Sequence, residues 1–233
     1  MKDQIEAEID RIGSGLTLAD NTTIYPLFSK PIYTKIIDID VEKIVSIIKK
    51  YEFSNVFSTG WGNKGMKRYL SSASSNKNVL KDEKLRFVKD KLVEEFDLFS
   101  SDVMKYTNEF EIITSWFTRC EEGQSSGIHN HNNCLLSGVL YLQTDENSGN
   151  IKFQNFDNRR YQMKIEEYNV FNSIEFKLKP EDGLLIFFPS EMWHKIEESK
   201  SHNTRYSLAF NLLPVGLVGN DKSDSHMRIK VDR

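Results

Sequence analysis

The second half of the chain has a hydrophobic pattern that permits few folds. From Glu111 onward, short apolar runs alternate with turn-forming residues, and the turns include NSGN, DNRR and PEDG. The runs are EIITSWFTRC, CLLSGVLYLQ, NIKFQNF, FNSIEFKL, GLLIFFP, WHKIEE and RYSLAFNLLP. About seven short strands at this spacing predict an antiparallel sandwich or barrel.

Two stretches before the strands have helical spacing instead. The first follows Asp40, which is the expected N-cap, and its apolar positions are Val41, Ile44, Ile47 and Ile48. The second runs from about Asn78 to Tyr106, with apolar positions Leu85, Val88, Leu92 and Phe96. These helices are predicted to buttress one face of the strands. The Gly- and Ser-rich stretch between them, around Trp61, is a candidate for a loop that covers an active site.

Length and composition predict one domain over residues 1–233. Its expected parts are an N-terminal strand and helical support (1–110), a barrel core (111–214) and a polar tail (215–233). The net charge of -3 provides no basic field, so nucleic acid is not supported as a partner. An acidic start and the lack of a long apolar run predict a cytoplasmic protein that does not enter membranes.

Three histidines form the candidate chemical site. His129 and His131 project to the same side if their segment is extended, and imidazole is the commonest protein metal ligand. An H-x-H pair alone is a weak signal, because such pairs are often merely solvated. His194 strengthens it, since it directly follows the apolar run GLLIFFP and would return across the same barrel.

The motifs around these histidines resemble a known enzyme family. HNHNNCLLSGVLYL, GLLIFFPSEMWH and RYSLAFN are similar to motifs of the 2-oxoglutarate- and iron(II)-dependent oxygenases, most closely a bacterial and phage-associated branch, and YPLFSKPIY looks like the opening strand of that branch. The resemblance implies a mainly β, double-stranded β-helix (a cupin-like jelly roll) with buttressing N-terminal α-helices. It also implies an oxygenase that uses Fe(II), 2-oxoglutarate and ascorbate as reductant to hydroxylate a substrate, with release of succinate and CO2.

The resemblance assigns roles to individual residues. His129 and His194 would be the two histidines of the metal triad, and Arg205 would bind the distal carboxylate of 2-oxoglutarate, which a planar guanidinium can grip with two parallel hydrogen bonds. Further cofactor-binding candidates are Ser207 and Asn211, on the strand face of Arg205, and Tyr141, where many relatives have a phenol.

His131 is where the sequence departs from the family. Most members have Asp or Glu at this position, which completes a 2-His-1-carboxylate triad. A neutral third ligand holds a dication less firmly and also suits zinc. We favour a site of three histidines, but two alternatives stay open: Asp145, Glu146 or Asp157 supplies a carboxylate, or His131 points away and leaves its place to water or an anion.

Two other functions are consistent with the same residues. A cupin-like dioxygenase or isomerase would bind metal without 2-oxoglutarate, and a non-enzymatic module would only bind a ligand or partner; Arg205 favours the oxygenase. The substrate is open among a small molecule, a nucleoside and a protein side chain, and a homo-oligomer is compatible with the sequence. Substrate choice is expected to depend on the loop near Trp61 and on the segment from Phe156 to Phe176.

Overall fold

The computed structural model describes residues 16–17, 23–25, 28–55, 71–73, 78–156, 164–169, 171–220, 222 and 224–231. Most of the loop around Trp61 and part of the segment from Phe156 to Phe176 lie outside these ranges, as does the candidate ligand Asp157. In the part of the chain that is described, no helix is long and apolar enough to cross a membrane.

Antiparallel strands dominate the described residues. They are β1 (Leu16–Thr17), β2 (Thr23–Ile24), β3 (Tyr33–Ile36), β4 (Ser54–Asn55), β5 (Ser71–Ala73), β6 (Glu109–Cys120), β7 (Leu136–Gln143), β8 (Ile151–Gln154), β9 (Glu175–Leu178), β10 (Leu184–Pro189), β11 (Trp193–Ile196), β12 (Arg205–Val218) and β13 (Met227–Ile229). The larger sheet has the order β3-β10-β7-β12-β6-β5-β4, with β13 paired to β12, and the smaller sheet has the order β11-β8-β9. β1 and β2 pair separately.

Both helices lie before β6, as predicted, although β3, β4 and β5 of the larger sheet also come from this N-terminal part. Helix α1 spans Val41–Ile48, and the Asp40 carboxylate caps it by accepting a hydrogen bond from the Lys43 amide at 2.9 Å. The second helical stretch is not continuous. Two 3-10 turns, Val79–Lys81 and Glu83–Leu85, precede helix α2 (Arg86–Leu98), and a π turn follows it. The break occurs at Asp82, whose backbone is extended and whose side chain accepts from the Lys84 amide.

Both faces of the larger sheet are buried, one against the helices and one against the smaller sheet. Because side chains alternate along each strand, every strand contributes residues to both faces. On β7, Leu140 and Leu142 point to the helices, where they join Leu92 and Phe96 of α2 in one apolar cluster. The intervening residues of β7 point to the smaller sheet, in a second cluster of Val139, Tyr141, Ile151, Phe153, Leu184, Ile186 and Phe188. The space between the two sheets is therefore the interior of the barrel, and the candidate site lies there.

The mainly β jelly roll with helical support is thus confirmed. The C-terminal region differs in one detail from the expected polar tail after Pro214. Strand β12 continues to Val218, and the chain returns as β13, which pairs with β12 through Val218 and Met227. This part of the tail extends the edge of the larger sheet.

Candidate metal and cofactor site

Backbone pairing brings the three histidines together. The segment around His129 runs antiparallel to the segment around His194, and the two residues exchange both backbone hydrogen bonds, at 2.9 and 2.8 Å. The amide of His131 donates to the Ser190 carbonyl at 2.9 Å, so a further backbone bond ties the two segments together at His131. Residues directly opposite each other, and residues two apart on one strand, project to the same face. All three imidazoles consequently point into the barrel.

The three side chains are close enough to hold one metal ion. One ligand atom from each of His129, His131 and His194 lies within 4.8 Å of the other two, and among the described residues no other group of three potential ligands meets this criterion. The ring centroids of His129 and His194 are 4.4 Å apart. Asp145 is not part of the cluster, since its carboxylate accepts hydrogen bonds from Ser201 and Asn203 in a neighbouring turn.

The other nitrogen of each ring has a partner outside the cluster. Nδ1 of His129 lies 2.9 Å from the Gly127 carbonyl oxygen, and Nδ1 of His194 lies 2.9 Å from the Met192 carbonyl oxygen. Nδ1 of His131 instead contacts two side-chain oxygens, those of Ser137 at 2.8 Å and Asn211 at 2.7 Å. Because Nδ1 is engaged in each ring, the nitrogen that remains for a metal is Nε2.

The histidines are electrically neutral at physiological pH. Burial lowers the pKa of His129 and lowers the pKa of His194 well below its ordinary value, where the two neighbouring histidines add to the effect. Burial, with a smaller contribution from His129, lowers the pKa of His131 to about 4. An unprotonated imidazole is the form that binds a metal, so the site needs no proton release before a cation enters.

Aromatic side chains surround the cluster. The ring of Phe188 meets that of His194 edge to face at 4.8 Å, and Trp116 meets His131 in the same way at 5.6 Å. Phe153 lies 6.0 Å from His194. These apolar neighbours limit the access of water to the histidines and account for their desolvation.

A second polar group in the barrel surrounds Arg205. Its side chain is 1% exposed, its Nη1 donates to the Gly149 carbonyl at 3.0 Å, and its guanidinium lies over the Tyr141 ring at 5.7 Å. Within the described ranges, Arg205 forms no ion pair, and neither its Nε nor the Tyr141 hydroxyl has a hydrogen-bond partner. A buried cation without an anion is costly, so this pocket has the chemistry of a carboxylate site.

The remaining candidates take different positions. The Ser207 hydroxyl lies 2.6 Å from the Thr118 hydroxyl, two residues along β12 from Arg205. Asn211 lies farther along the strand, and its side chain contacts His131, not Arg205. Gly149 and Thr118 were not predicted from the sequence. Gly149 is part of the NSGN turn, and no motif marks Thr118.

One family model matches the core of the chain. Residues 114–211 match a family model described as "Putative 2OG-Fe(II) oxygenase". A search of curated proteins gave no significant match. The matched residues include the three histidines, Tyr141, Arg205, Ser207 and Asn211.

Solved structures share the fold at low sequence identity. The non-heme alpha-ketoglutarate-dependent epimerase SnoN from nogalamycin biosynthesis superposes with a TM-score of 0.60 at 9% identity, over 88% of this chain and 90% of that one. A 2OG-Fe(II) oxygenase family oxidoreductase from Burkholderia pseudomallei gives 0.55 at 12% identity, over 74% and 78% of the two chains. HygX from Streptomyces hygroscopicus, with nickel, 2-oxoglutarate and hygromycin B bound, gives 0.52 at 11%, over 79% and 83%. The predicted resemblance is therefore confirmed: residues 114–211 match the model of a family described as 2OG-Fe(II) oxygenases, and the chain shares the fold of solved structures from that class.

Proposed function

We propose that this chain binds iron(II) and 2-oxoglutarate and hydroxylates a substrate, with release of succinate and CO2. One observation carries the proposal: the barrel combines three neutral histidines around a common point with a buried arginine that has no anionic partner among the described residues. The first feature suits a divalent metal ion, and the second suits an organic acid. Together they favour a site that uses 2-oxoglutarate over a metal site that works without it.

His129, His131 and His194 would hold the iron through Nε2. The carbonyls that accept from His129 and His194 fix those rings before the metal arrives, which lowers the entropy cost of binding. None of the three ligands carries a charge, so the negative charge that balances the metal would come from the 2-oxo acid.

Arg205 would bind the distal carboxylate of 2-oxoglutarate, with help from Tyr141 and Ser207. One guanidinium nitrogen is already oriented by the Gly149 carbonyl, while Nε is available for a ligand. Burial raises the pKa of Tyr141 to about 12, so its hydroxyl keeps its proton and donates it to an anion. Ser207 is paired opposite Tyr141 across the β7–β12 ladder, which places its hydroxyl beside the same pocket.

Bound iron and 2-oxoglutarate would supply the oxidising chemistry, with ascorbate keeping the metal reduced. The contribution of the protein is to orient the two and to exclude water. Phe153, Phe188 and Trp116 perform the second task around the histidines. The same apolar wall protects the protein from off-target oxidation when the substrate is correctly held.

The substrate class is open among a small molecule, a nucleoside and a protein side chain. HygX, which has this fold, was crystallised with the small molecule hygromycin B, whereas a Trichoplax adhaerens prolyl hydroxylase of the same fold was crystallised with a peptide fragment. Their shared fold with this chain does not select between these classes. The substrate panel of an activity assay should therefore contain candidates from all three classes.

Metal titration is the first experiment. Purified protein is titrated with Co(II) by calorimetry, in parallel with His129→Ala, His194→Ala and a control variant, His202→Ala. His202 lies on the surface, where it pairs with Glu122. Wild type and the control should bind one ion, and the other two variants should not. Undiminished uptake by His129→Ala and His194→Ala would show that the site is wrong.

Turnover is tested separately. Protein with Fe(II), 2-oxoglutarate and ascorbate is exposed to air with a substrate panel, and succinate is measured. Succinate formation that requires His129 and Arg205 supports the proposal. If a preparation that binds metal and 2-oxoglutarate gives no succinate across a broad panel, the oxygenase activity is contradicted. If it binds metal but not 2-oxoglutarate, a cupin-like function is favoured.

A further inference from the structure

Asn211 makes a set of hydrogen bonds that lead to a metal ligand. Its Oδ1 lies 2.7 Å from Nδ1 of His131 and accepts from the Ser137 hydroxyl at 2.8 Å. Its Nδ2 donates to the Thr114 hydroxyl at 3.0 Å. The Ser137 hydroxyl in turn lies 2.8 Å from that of Ser190. The amide is thus held on both sides, with its oxygen toward the His131 ring.

These bonds bear on which nitrogen of His131 carries the proton. For His129 and His194, the partner of Nδ1 is a backbone carbonyl, which can only accept, so Nδ1 must be protonated and Nε2 has the free lone pair. His131 has no backbone carbonyl at Nδ1. Its partners are the Asn211 oxygen, which can only accept, and the Ser137 hydroxyl, which can donate or accept.

We propose that Asn211 is a positioning residue that keeps His131 protonated on Nδ1 and turns Nε2 toward the other two histidines. Without this acceptor, the Ser137 hydroxyl could donate to Nδ1, and the proton would move to Nε2, where it blocks metal binding. A third ligand of the carboxylate type would need no such control, because it has no tautomers. The inference rests on the metal site of the proposed function.

The position of Asn211 on β12 separates it from the carboxylate pocket. Arg205 and Asn211 are six residues apart on one strand, and at a rise of about 3.3 Å per residue their Cα atoms lie about 20 Å apart. A carboxylate gripped by Arg205 is therefore out of reach of the Asn211 amide. The hydrogen bonds of Asn211 serve the metal end of the site.

The direct test reads the tautomer in the metal-free protein. Histidine is labelled with ¹⁵N, and long-range ¹H–¹⁵N NMR spectra identify the protonated ring nitrogen. The variants are Asn211→Leu, which removes the acceptor at similar volume, and Asn211→Asp, which retains it. Wild type and Asn211→Asp should show His131 protonated on Nδ1, and Asn211→Leu should show it on Nε2. His129 and His194 should stay protonated on Nδ1 throughout, which verifies that each variant is folded around the site.

Metal affinity provides the second readout. Titration with Co(II) alone should show binding about 10- to 100-fold weaker in Asn211→Leu and restored in Asn211→Asp. The proposal is overturned if His131 keeps its Nδ1 proton in Asn211→Leu, or if that variant loses 2-oxoglutarate affinity while its Co(II) affinity is unchanged. Failure of the wild type to bind Co(II) would contradict the proposed function, whereas the tautomer result stands without any metal.

Discussion

Replacement of Arg205 by Met is expected to maintain or raise the stability of the protein while it weakens the binding of 2-oxoglutarate. Arg205 is buried at 1% exposure, and no carboxylate of the described chain pairs with it. Methionine has a similar length and no charge, so it fills the space without requiring an anion. The structure therefore predicts opposite effects on the free energy of unfolding and on ligand binding.

The size of each effect follows from the contacts of Arg205. Burial of an unpaired guanidinium costs several kcal/mol. Its hydrogen bond to Gly149 offsets about 1.5–3 kcal/mol of this, and its contact with the Tyr141 ring offsets about 0.5–2 kcal/mol. Unliganded Arg205→Met should thus be as stable as wild type, or more stable by about 1–3 kcal/mol. Loss of the guanidinium–carboxylate pair should weaken 2-oxoglutarate binding by about 2–5 kcal/mol, or roughly 30- to 5000-fold.

Urea unfolding with and without 2-oxoglutarate measures both effects, in protein loaded with Co(II). At a ligand concentration about 100 times the wild-type Kd, 2-oxoglutarate should stabilise wild type by about 2.7 kcal/mol and Arg205→Met hardly at all. Arg119→Met is the matched control. Arg119 is also on the larger sheet, but it pairs with Glu121 and lies against Phe53, away from the histidines.

Two results would refute this reasoning. If unliganded Arg205→Met were less stable than wild type by more than about 2 kcal/mol, the guanidinium would be a satisfied structural group and not the binding group for a ligand carboxylate. If the variant bound 2-oxoglutarate as tightly as wild type, the carboxylate would be held elsewhere. Equal losses of affinity in Arg205→Met and Arg119→Met would point to a general electrostatic effect.

Three other substitutions have defined outcomes. Gly149→Ala should lower both 2-oxoglutarate affinity in calorimetry and stability, because its Cβ would lie 2.0 Å from the Glu197 carbonyl oxygen and displace the carbonyl that orients the arginine; unchanged affinity would contradict this. Gly138→Ala places a Cβ 2.3 Å from the Phe210 ring and should cost about 1–3 kcal/mol in urea unfolding with ligand affinity unaltered. Burial tends to raise the pKa of Glu95, but hydrogen bonds from two lysines and a tyrosine outweigh it and hold this pKa below its ordinary value. The ionised Glu95 carboxylate therefore stabilises the folded protein fully above the unfolded pKa of about 4.3, and this stabilisation is lost as pH falls through the folded pKa. The destabilisation by Glu95→Gln, about 1–3 kcal/mol at pH 7, should consequently shrink in acid. A difference between wild type and Glu95→Gln that does not change with pH would contradict the role of the charge.

The sequence predicts best those features that depend on residues close together in the chain. Spacing alone places His129 and His131 on one side of an extended segment, and the apolar run before His194 predicts the strand that leads to it. Helix α1 and its cap were predictable for the same reason, since a cap and an apolar stripe are local features. The interruption of the second helical stretch was missed because Asp82 fits a helix surface as well as it fits a turn.

Residues that act through pairing of distant strands were beyond sequence reasoning. Thr118 meets Ser207 only because β6 lies against β12, and Gly149 meets Arg205 only because the turn after β7 folds back over the barrel. Neither residue has an unusual neighbourhood in the sequence. Register decides such contacts, and a shift of one residue would turn each side chain to the other face.

A metal site made of three histidines would change how binding of the metal and binding of 2-oxoglutarate depend on each other. With a carboxylate ligand, the protein itself offsets part of the metal charge, whereas His129, His131 and His194 offset none. The 2-oxo acid would then be the main source of negative charge at the metal, while its other end would neutralise Arg205. Each partner should accordingly raise the affinity of the site for the other by the same factor, because coupling between bound ligands is reciprocal. Because Arg205 has no anionic partner among the described residues and the three histidines are neutral, the proposed site should favour joint occupancy by the metal and the 2-oxo acid. Loss of Arg205 should therefore reduce metal retention only when 2-oxoglutarate is present.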